Sequence, residues 1–198
     1  MPVQECIRNI SMRLIKRVRE AYRMNWEFDI LYALQGIHGP VLDRVMVFLS
    51  ALGNAGILWI SLSLIFCIPR TYRKTGLQML VTIVISFILA NLILKKLAAR
   101  ERPCWIDSQV ALLVAVPTDY SFPSGHTVNG FAASVALFCN DKRLGIPAVI
   151  LASLIAFSRL YLFVHFPTDV LAGILIGGGC ALVVHMGFQK LSAGRDEI

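Results

Sequence analysis

Three clusters of polar residues in this chain combine side chains suited to holding and attacking a tetrahedral anion. The first, Lys95-Lys-Leu-Ala-Ala-Arg-Glu-Arg102-Pro103, has the form K-x6-R-P. The second is Phe122-Pro123-Ser124-Gly125-His126. The third begins at Ser158-Arg159 and continues to His165 and Asp169, in the form S-R-x5-H-x3-D. Together they offer three cations, Lys95, Arg102 and Arg159, to an oxyanion, two histidines as nucleophile and acid, and a carboxylate to orient one of them.

Each cluster has a plainer reading when taken alone. Cations at a helix C-terminus offset the helix dipole or snorkel towards water. P-S-G-H reads as a helix start, where proline suits the first turn, Ser124 caps or donates a hydroxyl, and Gly125 lets the backbone approach a ligand. The free N–H groups of such a start form a cradle for phosphate. Pro167 disfavours helix at Phe166 and suits the first turn of the next helix, which places Asp169 in that turn as well. A histidine near an aspartate is usually structural, but the three clusters together make coincidence the weaker account.

The elements that position these residues are set by hydropathy. Of 198 residues, 57% are hydrophobic and 16% charged, and the mean hydropathy of +0.68 excludes an ordinary soluble domain. A spanning helix needs roughly 20 apolar residues. Uncharged runs at Val45 to Pro69, Thr75 to Leu94, Tyr120 to Asn140, Leu144 to Ser158 and Val170 to Gln189 predict five spans in an all-α polytopic membrane helix bundle. Gly53, Asn54 and Gly56 are positioned to break the first run, separating a short helix around Val41 to Leu52 from a longer one through Trp59. Trp26 to Leu42 is a candidate sixth span, although it is short and carries Glu27, Asp29 and His38.

The first 25 residues have no continuous apolar core of the kind a secretory signal needs. Val3, Ile7, Ile10, Leu14, Val18 and Tyr22 recur at intervals of three and four, and most of the basic residues fall off that stripe. This predicts an interfacial amphipathic helix within a basic N-terminal segment, residues 1–40, ahead of a membrane domain, residues 41–198. The net charge of +7 suits anionic lipid. No aromatic-basic platform or zinc motif points to nucleic acid. The five cysteines are scattered, without disulfide or metal-ligand spacing. Two histidines and one acid among cations make a poor ligand set for a divalent ion, so no metal or other cofactor is expected.

The short basic turns Arg70 to Lys74 and Asp141 to Arg143, with Lys190 and Arg195, fall on one side of the bundle, and the long segment Lys95 to Pro123 and the turn His165 to Pro167 on the other. The positive-inside rule assigns the basic turns to the cytoplasm. Five spans then place the basic N-terminus outside, against the same rule. Gly173 and Gly177 form a GxxxG pair, suited to close packing within the bundle or in a homodimer.

K-x6-R-P, P-S-G-H and S-R-x5-H-x3-D, in this order and with these gaps, resemble the three-part signature of the type-2 phosphatidic acid phosphatase (PAP2) superfamily. The resemblance covers Lys95 to Asp169 in its motifs and about Leu42 to Gly187 in its helix pattern. Membrane members of the family usually have six spans. The resemblance implies a metal-independent lipid phosphatase in which His165 attacks phosphorus, Asp169 fixes its tautomer and His126 protonates the leaving oxygen. Lys95, Arg102 and Arg159 would hold the phosphoryl oxygens, with Ser124 and the Gly125 N–H completing the cradle.

Small members of the family look like bacterial enzymes acting on undecaprenyl diphosphate, phosphatidylglycerol phosphate or phosphatidic acid. The first is the preferred substrate, with the active site on the external face of the cytoplasmic membrane. The competing class is a phospholipid-binding or transport protein that keeps the cationic pocket without turnover. The presence of His126, which binding alone does not need, argues against it. Outside the motifs, His38 and His185 read as structural, Trp105 as an interface anchor or part of a flap, and Arg100, Asp107 and Asp119 have no assigned role.

Overall fold

The computed structural model describes residues 26–193, so the amphipathic stripe at the N-terminus lies outside the described residues. The described chain forms helices α1 (Trp26–Gln35), α2 (Pro40–Leu52), α3 (Ile57–Cys67), α4 (Arg73–Phe87), α5 (Lys95–Ala98), α6 (Pro103–Ile106), α7 (Gly125–Asn140), α8 (Lys142–Tyr161) and α9 (Pro167–Ala193). A π-helical stretch, Ile88–Leu94, joins α4 to α5. No strand occurs among the described residues.

Three helical stretches, beginning at Arg73, Lys142 and Pro167, are long and apolar enough to cross a membrane. A fourth is available if α2 and the helix after it, bent by 44° at the intervening break, form one span. Gly53, Asn54 and Gly56 lie at that break, where Ala55 and Gly56 adopt φ of 51° and 69°. Trp26 to Leu42 is not one helix: α1 has only 10 residues, about 15 Å of rise, and a turn separates it from α2. In the Tyr120 to Asn140 run, helix begins only at Gly125 and lasts 16 residues, about 24 Å against a hydrocarbon core of about 30 Å.

That short helix, α7, is the centre of the bundle, packed chiefly on α9, α8 and α4. Small residues bring its neighbours close. A Cβ on Gly177 would lie 2.4 Å from the Val128 carbonyl oxygen, and one on Gly173 would lie 2.8 Å from Thr127 Cβ. The GxxxG face of α9 is therefore used within the bundle. Trp59, Met79, Phe131, Leu137 and Ile155 fill the core around α7. Large apolar side chains such as Leu64, Val84, Ile150, Leu175 and Val183 point outward from α3, α4, α8 and α9, the pattern of an integral membrane protein whose outer surface meets lipid.

Two contacts gather the basic turns at one end. Tyr72 Oη donates to Asp141 Oδ2 at 3.5 Å, and Lys74 Nζ donates to Ser192 Oγ at 2.7 Å. Asp141 also caps α8, accepting the N–H groups of Arg143 and Leu144. The other end holds the long segment after α5 and the turn between α8 and α9, over a second core of Phe28, Leu31, Met46 and residues 161–164 and 166.

Candidate active site

His165 lies in the turn between α8 and α9, and the backbone of that turn is unusual. Phe163 adopts φ of 59°, a left-handed conformation that an aromatic residue rarely takes. Its fully buried ring compensates, packing 6.0 Å from Phe28 and 5.7 Å from Tyr32 between centroids. The turn thereby presents His165 inward, 1% exposed, next to α6 and the start of α7.

The partners of His165 define its tautomer. Asp169 Oδ2 is 3.6 Å from Nδ1, and Arg102 Nη1 is 3.1 Å from Nε2. The guanidinium can only donate, so Nε2 carries the lone pair and Nδ1 the proton. At 3.6 Å the carboxylate is beyond hydrogen-bond reach, and such contacts in empty sites often tighten only with substrate. Burial drives the His165 pKa down. The Asp169 carboxylate opposes this, while Arg102 and Arg159 reinforce it, leaving a value of about 3. The imidazole is neutral at ordinary pH, with a lone pair facing the cations.

Asp169 is held from three directions. Ser121 Oγ donates to Oδ2 at 2.5 Å, the Phe166 N–H to the same oxygen at 2.8 Å, and Arg100 Nη1 to Oδ1 at 2.7 Å. Arg100 is itself fixed by Glu27 Oε2 at 2.5 Å and lies 4.1 Å from the centroid of the Phe166 ring. Glu27 Oε1 accepts the Thr168 hydroxyl at 2.6 Å, which ties α1 to the first turn of α9. Glu27 and Ser121 lie outside the three motifs, and Arg100 occupies an unspecified position within the first.

His126, one residue into α7, faces the break after α2. Its Nε2 lies 3.0 Å from Asn54 Oδ1. Gly53 makes room for the ring, since a Cβ there would lie 2.6 Å from His126 Cδ2. The break legible as a helix interruption is thus also the seat of the second histidine.

Lys95, Arg102, Arg159, Gly125, His126 and His165 all line one cavity of about 1000 Å³. Val47, Phe87, Leu113, Val114 and Val116 supply an apolar wall to the same cavity. Ser124 does not line it: the side chain is fully buried and accepts the Thr127 hydroxyl at 3.0 Å, so it is turned into the bundle rather than towards an anion. Its backbone N–H donates to the Asp169 carbonyl at 3.1 Å.

The three cations differ in what they hold. Arg159 Nη1 donates to Ser50 Oγ, whereas its buried Nε has no acceptor among the described residues. A buried donor left in that state costs about 1–3 kcal/mol, and an anionic oxygen would relieve it. Lys95 Nζ and Arg102 Nη2 both reach the carboxylate of Asp119, at 2.5 and 2.7 Å. Burial alone would raise the Asp119 pKa, but Lys95 and Arg102 outweigh it and bring the value down to about 2. His38 and His185 are elsewhere. His38 stacks on Tyr161 with centroids 4.2 Å apart, and His185 lies between Gln78 and Gln189. Among the described residues no group of three or more His, Cys, Asp or Glu converges as a metal site.

Comparison with known proteins places this arrangement. Residues 75–193 match the family model described as the PAP2 superfamily. An undecaprenyl-diphosphatase from Sulfolobus acidocaldarius is 36% identical over 137 residues, which cover 69% of this chain and 66% of that relative. Undecaprenyl-diphosphatase BcrC from Bacillus subtilis is 30% identical over 83% of each chain. The crystal structure of a transmembrane PAP2-type phosphatidylglycerolphosphate phosphatase from Bacillus subtilis superposes with a TM-score of 0.69 at 30% identity, covering 91% of this chain and 95% of that one.

Proposed function

The chain belongs to the PAP2 superfamily, and on that premise we propose that it is a metal-independent lipid phosphatase working through a phosphohistidine on His165. The observation that carries this reading is the single cavity in which the neutral His165, His126 and three cations face an apolar wall. That combination suits a phosphate joined to an apolar chain. Undecaprenyl diphosphate is the preferred substrate, a choice supported by the names of two relatives. Phosphatidylglycerol phosphate and phosphatidic acid are the alternatives.

In the first step His165 Nε2 forms a bond to phosphorus as the bond to the leaving oxygen breaks, and His126 supplies the proton that oxygen takes up. Asn54 orients His126 for this transfer. Asp169 stabilises the Nδ1–H tautomer and the positive charge that develops on the ring. Lys95, Arg102, Arg159 and the Gly125 N–H stabilise the phosphoryl oxygens from fixed positions. Water then attacks phosphorus, yields a proton to His126, and the N–P bond breaks to release phosphate.

We place the site on the external face of a bacterial cytoplasmic membrane, because the basic turns gather at the opposite end of the bundle. We count α7 as the fifth span. It is enclosed by its neighbours, so its short length meets protein rather than lipid.

The test is phosphate release by purified protein in detergent from a panel of lipid mono- and diphosphates, with and without EDTA. Release that survives chelation is expected. Loss on chelation overturns metal independence, and lipid binding without release favours the transport alternative. Gly53→Ala addresses His126 separately. Gly53 has φ of −85°, which alanine adopts without strain, so the new methyl acts by contact, 2.6 Å from His126 Cδ2 and 2.8 Å from Ile155 Cγ2, and an unchanged Tm separates displacement of the imidazole from loss of packing at Ile155. A fall in kcat of about tenfold or more is expected, given the sensitivity of proton transfer to sub-ångström placement. Unchanged kcat would remove His126 from the proton path.

A further inference from the structure

The carboxylate of Asp119 sits where the proposed mechanism puts an anion. It bridges Lys95 Nζ at 2.5 Å and Arg102 Nη2 at 2.7 Å, engaging two of the three cations that line the cavity. Arg102 also grips the same residue through its backbone, with Nε donating to the Asp119 carbonyl at 2.6 Å. The placement is therefore specific rather than a chance surface pair. The cations are almost fully buried, with side chains 9% and 3% exposed, whereas the Asp119 side chain is 54% exposed. The cations are fixed and the carboxylate is the member free to leave.

We propose that Asp119 is an intramolecular place-holder for the phosphoryl group, one that weakens every anion on Lys95 and Arg102 alike, so that free inorganic phosphate is held off while a phosphate carried on an apolar chain still binds. Any anion that binds Lys95 and Arg102 must first displace this carboxylate. Inorganic phosphate has nothing with which to offset that cost. A lipid phosphate offsets it by burying its chain against Val47, Phe87, Leu113 and Val114. The same displacement favours departure of the product: once phosphate is severed from the chain, the tethered carboxylate competes for the cations at high effective concentration. The segment carrying Asp119 lines the cavity from Leu113 onward, so the place-holder and part of the apolar wall belong to one stretch of chain.

This inference rests on Lys95 and Arg102 being the phosphate-holding cations, and the experiment separates the two ideas. Inhibition of turnover by inorganic phosphate is measured for the wild-type protein, Asp119→Asn, Asp119→Glu and Arg102→Gln in detergent. In Asp119→Asn the Ki for phosphate is expected to fall at least tenfold and KM for the lipid to fall with it, while Asp119→Glu stays within threefold of wild type. A Ki in Asp119→Asn equal to or above the wild-type value overturns the proposal. Asp119→Ser provides a reading that needs no turnover: phosphate should raise its Tm more than that of the wild type, and an equal or smaller rise also overturns the proposal. If Arg102→Gln leaves phosphate inhibition unchanged, the assignment of the cations fails; if it abolishes inhibition while Asp119→Asn has no effect, only the place-holder fails.

Discussion

His165→Ala is expected to reduce phosphate release from a lipid phosphate by a factor on the order of 10⁴ or more, to the limit of detection of the assay. The magnitude follows from the loss of the proposed nucleophile, because fixed cations can stabilise a phosphoryl group but cannot form the bond. Neither group beside the His165 Nδ1 can substitute. Asp169 is behind the ring and fully buried, and the Ser121 hydroxyl is engaged with Asp169 Oδ2. Rapid quenching of wild-type turnover with labelled substrate should trap an acid-labile phosphoprotein that the variant lacks. Full activity in His165→Ala would overturn the mechanism. The fold should survive the change, since the turn is anchored by Phe163 and Phe166 in the core beneath it.

Asp169→Asn is expected to lower kcat by about 10³ to 10⁴-fold with a much smaller change in KM, the signature of a lost transition-state interaction. The reason lies in the donors around the carboxylate. Oδ2 accepts from Ser121 Oγ and the Phe166 N–H, and Oδ1 accepts from Arg100. Either orientation of an asparagine amide points its NH2 at one of these donors. If the amide nitrogen takes the Oδ2 position it also faces Nδ1 of His165, which favours the other tautomer and moves the lone pair away from the cations. If it takes the Oδ1 position it opposes the Arg100 guanidinium. Steady-state kinetics across the lipid panel measure the effect, and a kcat within tenfold of wild type would show that Asp169 has no orienting role.

The contrast between motif and non-motif residues shows what the sequence carries. Lys95, Arg102, His126, Arg159 and His165 were legible because each lies near the end of a helix, at a local spacing that survives without knowledge of tertiary contacts. Ser124 marks the limit of such reading: a hydroxyl at a helix start reads as an anion donor, whereas in the fold it is buried and accepts the Thr127 hydroxyl. Glu27 and Asn54 reach the site across 73 and 72 residues of chain, and no periodicity links such distant partners. Asn54 had a partial signal, since the Gly53, Asn54 and Gly56 cluster marked the helix break but not the histidine it supports. Asp119 was visible as an acid near the site, but the role proposed for it depends on two cations that converge on it only in the fold.

The span count separates hydropathy from environment. Apolar runs identify segments that avoid water, but they do not distinguish a helix facing lipid from one enclosed by other helices. α7 carries Gly130, Ala132, Ala133, Ser134 and Ala136, all buried, so its composition answers to close packing rather than to the thickness of a bilayer. The outward-facing apolar residues of α4, α8 and α9 answer to lipid instead.

The π-helical stretch from Ile88 to Leu94 sets a counting rule for the first motif. Its wider turn takes up chain length that an α-helix would turn into rotation. Each residue of a regular α-helix turns the chain by about 100°, so a one-residue difference in how this stretch is wound decides which way everything beyond it faces. Asn91 and Lys95, one within the stretch and one at its end, both line the cavity. Two relatives could therefore share every motif letter and still aim the lysine differently if their apolar runs before it differ by a single position. An alignment that treats this run as freely gapped hydrophobic filler discards the information that points Lys95 into the cavity.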